Sequence, residues 1–379
     1  MTRILLTPFL ICLLFMSCSS GKKALERGDY FSATLQAVNR LRSNPNSSKA
    51  LNAVKESYPM SLTYFKGKID NALTANLPFK YSEVVDYYEK LNLLSEEVSR
   101  CPAALKIFPN VNYFRAELAG ARKLAADEQY AAGLMNEKLN TRISWKDAWL
   151  NYKQTDRFSP GYKDVKFRLD EAKYNATLKV IVEQIRVSPK YQLSTNFFLN
   201  QIVENMVRTR PNELVAFYSP QSAAKAGLRN PDQVLRMNFD DFVVGQSNDK
   251  ETVRELSRDS VEVGTVTLAD GKKIKAYNTV KAKMTIYRRE LITMGVLDVT
   301  IIDLQQNSMV SQRKFPGQFY WFVEWGSFNG DERALNNDQL AICRSKPVAP
   351  PGPQELFIEF TKPIFNQVTP FLKSFYQQY

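Results

Sequence analysis

The spacing of apolar residues changes once along this chain, and that change limits the folds open to it. Over residues 22–174 apolar positions recur at intervals of three and four with few β-branched runs, which predicts amphipathic helices. After Asn175 and Ala176 the period falls to two. Residues 177–185 alternate as a strand, 195–208 read as a helix capped by Ser194, and 213–218 form a second strand. An extended stretch at 234–245 follows, and Asp270-Gly271 marks a hairpin turn between 261–268 and a long strand reaching Tyr287. In that strand Val280, Ala282, Met284 and Ile286 share one face. Leu297, Val299 and Ile301 alternate in the next strand. Phe319, Trp321, Val323 and Trp325 then form one face of an aromatic strand, with Tyr320, Phe322 and Glu324 opposite. The expected class is α followed by α/β: a helical array, then a mixed sheet that begins β-α-β and ends as antiparallel hairpins.

The N-terminus adds a second constraint. Arg3 precedes an apolar run at 4–16, and Ser17 provides a small residue immediately before Cys18. A run this short cannot cross a hydrocarbon core of ~30 Å. The layout resembles a bacterial lipoprotein signal peptide, which implies cleavage before Cys18 and acylation of that residue. An ordinary secretory signal, or a buried apolar segment with an incidental cysteine, is the alternative. Ser19 stands where an Asp marks inner-membrane retention in well-studied lipoproteins, so the resemblance implies an outer-membrane anchor. The absence of acidic residues in 19–23 implies a periplasm-facing protein. The expected division is a signal peptide at 1–17, a helical domain at 18–174, a mixed α/β domain at 175–345, and a Pro-rich connector with an amphipathic segment at 346–379.

The chain contains no histidine, which removes Ser-His-Asp and Cys-His catalysis and His-ligated zinc. Net charge is +12. Residues 19–190 hold 28 basic and 19 acidic side chains, whereas 191–379 hold 22 and 20, so the excess lies in the helical half. A basic domain beside an acyl anchor suits an anionic membrane surface or an acidic partner; scattered along helices, these cations do not form a nucleic-acid patch. With Cys12 in the signal and Cys18 acylated, Cys101 and Cys343 are left, and two lone thiols are expected in place of a bridge.

Residues 24–33, with Gly28, Tyr30 and Ala33, resemble the first helix and turn of a tetratricopeptide-type repeat, and 145–152 followed by Pro160 and Tyr162 resemble a second copy. The spacing between them is irregular, which argues against a regular solenoid. The order of elements from 176 to 328 resembles the α/β domain of curli-secretion lipoproteins and of the Tol-system propeller protein. An acylated cysteine, repeat-like helices and this domain together resemble envelope lipoproteins of Bacteroidota, which implies a role in envelope assembly and brings no catalytic residues.

Candidate sites follow from chemistry and position. Asp331, Glu332 and Arg333 in the stretch GDERAL can cap a helix over 332–343 or bind a partner. Trp321 and Trp325 can stack on a sugar or a partner, or belong to the sheet core. Asp240 and Asp241 are strand neighbours that point to opposite faces and cannot converge on one reacting atom. Pro363 and Pro370 are expected to kink or divide the last segment. The expectation is a non-enzymatic scaffold without cofactor or metal. Its partners are a membrane through Cys18 and envelope proteins, with self-association open and binding chiefly in the basic array. A periplasmic module binding glycan or peptidoglycan fragments through the Trp strand is the alternative.

Overall fold

The computed structural model describes residues 20–75 and 77–379. The chain divides into two compact units between Ala176 and Thr177.

The first unit is all helix: α1 (Lys22–Glu26), α2 (Tyr30–Ser43), α3 (Ser48–Thr74), α4 (Lys80–Ser99), α5 (Pro102–Leu105), α6 (Arg115–Lys138), α7 (Arg142–Phe158) and α8 (Val165–Ala176). The long helices pack on their sequence neighbours through the apolar stripes read from the spacing, with Ala37, Val54, Val85, Leu94 and Ala125 fully buried. Local chemistry sets the ends. Asp29 caps α2 by accepting from the Ser32 amide, and Thr141 and Ser144 form a reciprocal box at the start of α7. Gly28 takes φ +75° in the turn between α1 and α2. Gly133 allows α6 and α7 to touch, because a Cβ there would come within 2.4 Å of the Tyr152 ring. Polar groups knit the last three helices: Tyr152 donates to Glu137 at 2.6 Å, Arg168 bonds the same carboxylate at 2.7 Å, and Tyr130 donates to Asp164 at 2.5 Å. Burial and the Glu137 carboxylate push the Tyr152 hydroxyl far above its usual pKa.

The second unit contains β1 (Leu178–Val182), a 3-10 turn at Pro189–Tyr191, α9 (Gln192–Thr209), β2 (Val215–Tyr218), α10 (Pro220–Lys225), β3 (Gln233–Thr267), β4 (Lys273–Asp303), β5 (Ser308–Gly330), α11 (Asn337–Arg344) and α12 (Pro353–Gln377). The sheet order is β2-β1-β3-β4-β5. β1 pairs in parallel with β2 and β3, while β3-β4 and β4-β5 are antiparallel, so the sheet is mixed. The β1-α9-β2 start and the turn at Asp270-Gly271, with Gly271 at φ +81°, agree with the sequence reading.

Strand length departs from that reading. The stretches read as separate strands are joined into strands of 35, 31 and 23 residues. Residues 246–260 carry charges on both faces and show no alternation of burial, yet they stay extended because β4 pairs with them along nearly their whole length. β3, β4 and β5 thus form an arm whose longest strand has a contour of roughly 110 Å at about 3.3 Å per residue.

Three smaller expectations also fail. Ser194 lies buried inside α9, whose start is set by Pro189 in the 3-10 turn, and it caps nothing. Of the kink or division expected at Pro363 and Pro370, the division does not occur, since Pro353–Gln377 is one helix. Phe357, Phe360, Ile364, Val368, Leu372 and Tyr376 on its fully buried face span both prolines, and this packing outweighs the lost backbone bonds. This face packs with Val180, Ile202, Leu235, Val299 and Phe315 to make the core of the unit. Finally, residues 332–343 are not one helix: a 3-10 turn at Glu332–Ala334 precedes α11, which Asn336 caps with Gln339 in a reciprocal box. Leu335 explains the break. Its extended backbone, φ −89° and ψ 148°, drives its side chain into a small core with Ala282 and Met284.

Candidate interaction surface

Two helices cover the arm at different places. At its base α12 packs on the side carrying Leu297, Val299 and Phe315. Farther out α11 packs on the opposite side, where Leu340 and Ile342 meet Ile286, Met284 and Phe328. Between them lies a stretch in which side chains of both faces reach solvent. The β4-β5 register sets Tyr287, Arg289 and Leu291 against Trp325, Val323 and Trp321 on one face, and Arg288, Glu290 and Ile292 against Glu324, Phe322 and Tyr320 on the other.

On the first face Trp325 stacks on Tyr287, with ring centroids 5.8 Å apart and planes at 20°. The Arg289 guanidinium sits 5.9 Å from the Trp325 ring and donates to Asp249 at 2.9 and 2.8 Å. That pairing holds the Asp249 carboxyl below its ordinary pKa. On the second face Arg288 lies 4.3 Å from the Phe322 centroid and donates to Glu290 at 2.6 Å, Glu324 at 2.8 Å and the Tyr320 hydroxyl at 2.8 Å. Hydrogen bonding with Tyr320, then Lys250 and Arg288, keeps the Glu290 carboxyl low. Tyr320 and Phe322 remain 46% and 49% exposed. Fixed guanidinium planes and half-open rings can stack on flat groups and satisfy extended backbone, a chemistry of binding.

Trp321 and Trp325 share a face, as the alternation predicts, and are half-buried rather than sheet core. Asp331, Glu332 and Arg333 lie apart from them, past the end of β5. Asp331 accepts from the Arg333 amide at 2.9 Å and pairs with its guanidinium at 2.6 Å, which brings its carboxyl down to about 2. The same guanidinium donates to the Glu262 carbonyl at 2.5 Å, Arg258 donates to the Arg333 carbonyl at 3.2 Å, and Glu332 pairs with Arg344 at 3.3 Å. These contacts make GDERAL a clasp on the outer part of β3. Asp240 pairs with Lys314 at 2.5 Å. Tyr287, Arg288, Arg289 and Asp249 escaped the sequence reading because no motif marks them. Aligning the aromatic strand with the strand before it would have found the first three.

Cys18 lies outside the described residues. Cys101 and Cys343 are free thiols in different units, and burial raises the Cys343 pKa. Among the described residues no helix is long and apolar enough to cross a membrane, and no group of three or more His, Cys, Asp or Glu could hold a metal ion. No protein-family model matches the chain, and no curated protein matches it.

Proposed function

We propose that this chain is an outer-membrane lipoprotein, anchored through Cys18 and facing the periplasm, that serves as a non-catalytic interaction scaffold in an envelope assembly. The observation that carries the scaffold role is the middle of the arm, where aromatic rings and ordered arginines from two strands are presented on both faces. The anchor rests on Arg3, the apolar run at 4–16 and the Ser17-Cys18 junction. The helical unit, read as tetratricopeptide-like, adds stacked helix pairs of the kind that present extended binding surfaces.

Two measurements test the parts separately. Cys18→Ala should abolish metabolic palmitate labelling and release the protein from membranes; labelling that persists removes the anchor. A photo-crosslinking residue at Phe322 should capture, in cells, a discrete envelope protein other than a second copy of this chain, while the same residue at the buried Leu199 should not. Equal products at both positions, or none at Phe322, would overturn the scaffold role of the arm.

A further inference from the structure

β5 ends the sheet, so among the described residues one of its backbone edges has no strand beside it. β3 carries the other long free edge, since β1 pairs with it only as far as Leu235. The two edges are built differently. Asp249, Lys250, Glu251, Arg254, Glu255 and Arg258 are all exposed along β3, and such charges discourage the addition of another strand. Over residues 315–325 of β5 the one charged residue is Glu324. That edge has a definite start. Pro316 has no N–H to offer, and its carbonyl accepts from Gln367 Nε2 at 2.9 Å. Beyond it, over 318–328, no backbone hydrogen bond from the described residues other than those of β4 reaches the strand.

A proline on an edge strand sits with its nitrogen toward the open side. The β4-β5 register runs without a shift from Phe315 to Gly330, so alternation turns the backbone groups of Gln318, Tyr320, Phe322 and Glu324 to that side as well. We propose that this edge pairs, antiparallel, with the same edge of a second copy of the chain, joining two arms into one continuous sheet about a two-fold axis at Trp321.

Self-complementarity favours a second copy as the occupant. With the axis at Trp321, Tyr320 meets the second copy's Phe322, Phe319 meets Val323, and Gln318 brings an amide donor to Glu324. Each row is an aromatic, apolar or donor–acceptor pair of the kind that stabilises antiparallel sheets, and no like charges face each other. The two Pro316 residues close the paired segment at both ends. An isologous interface of this sort needs no second gene product.

Pairing between copies does not depend on lipidation, so sedimentation tests it while palmitate labelling tests the anchor. Sedimentation velocity of the purified chain should show a monomer–dimer equilibrium. Phe322→Lys, at a half-exposed position, should leave circular dichroism unchanged and raise the dimer dissociation constant by roughly tenfold or more, because it sets a cation into each aromatic row. Tyr320→Pro, which removes an outward N–H and spares the bonds to β4, should do the same. Trp321→Cys should form an intermolecular disulfide under mild oxidation that wild-type Cys101 and Cys343 do not. A chain that stays monomeric at every concentration, or a dimer unaffected by both Phe322→Lys and Tyr320→Pro, overturns the proposal.

Discussion

Arg333 reaches 71 residues back along the chain to the carbonyl of Glu262, so the short turn after β5 holds the outer part of β3 in place. Asp331 aims that guanidinium, and its own carboxyl is drawn down to about 2 by the contact. A carboxyl lowered from its unfolded value contributes stability that is full above about 3.9 and is lost as pH falls through the folded value. Protection of the amides at residues 258–267, taken relative to their intrinsic exchange rates, should therefore fall between about pH 4 and 2 in the wild type. Asp331→Asn should show the fast exchange already at pH 7, with the core amides of β1 unchanged. Identical exchange at neutral pH in the two proteins would show that the clasp holds nothing.

Gly317 sits beneath α12, where a Cβ would come within 2.4 Å of the Phe360 carbonyl and 2.5 Å of Ile364. Backbone cannot move aside as the end of a side chain can. Gly317→Ala should cost about 1–3 kcal/mol in urea unfolding of the second unit. Gly245→Ala is a useful comparison, since its nearest atom is a Leu356 methyl at 3.2 Å and the strain there comes from φ +69°.

Phe360 is fully buried against Phe239, Phe242 and Phe357. Phe360→Ala should destabilise by about 3–5 kcal/mol, and the loss should be confined to the second unit. Fragments 20–176 and 177–379, measured separately by circular dichroism, should give helical and mixed spectra. A strand-rich signal from the first would contradict the architecture.

Gly133→Ala probes the other unit. Its Cβ would strike the Tyr152 ring, which is fixed by the bond from its hydroxyl to Glu137. A loss of about 1–3 kcal/mol in fragment 20–176 is expected, partly relieved by Tyr152→Phe, which frees the ring from that bond.

The parts of this fold legible in the sequence are those where one face of an element meets a core. The helical stripes of α2 to α8 and the row from Val280 to Ile286 carry a burial period in the residues themselves. Residues 246–260 carry none, because they are exposed on both faces and take their conformation from pairing with β4. Leu335 interrupts an otherwise helical stretch for a cavity built by residues some fifty positions earlier, and α12 ignores two prolines for the sake of a core it shares with β1 and β4. The aromatic pair Trp321 and Trp325 could be placed on one face from alternation alone. The arginines beside them could not, since their importance depends on which strand lies alongside.

The position of α12 has a consequence for how the protein is made. β1 and β2 leave the ribosome early, but the helix that packs against their sheet is encoded by residues 353–377. Until Tyr376 has been synthesised, the core around Val180, Leu235 and Val299 has α9 but lacks the buried face of α12 that completes it. The second unit therefore gains its cooperative stability only once residues 353–377 have joined the strands made before them.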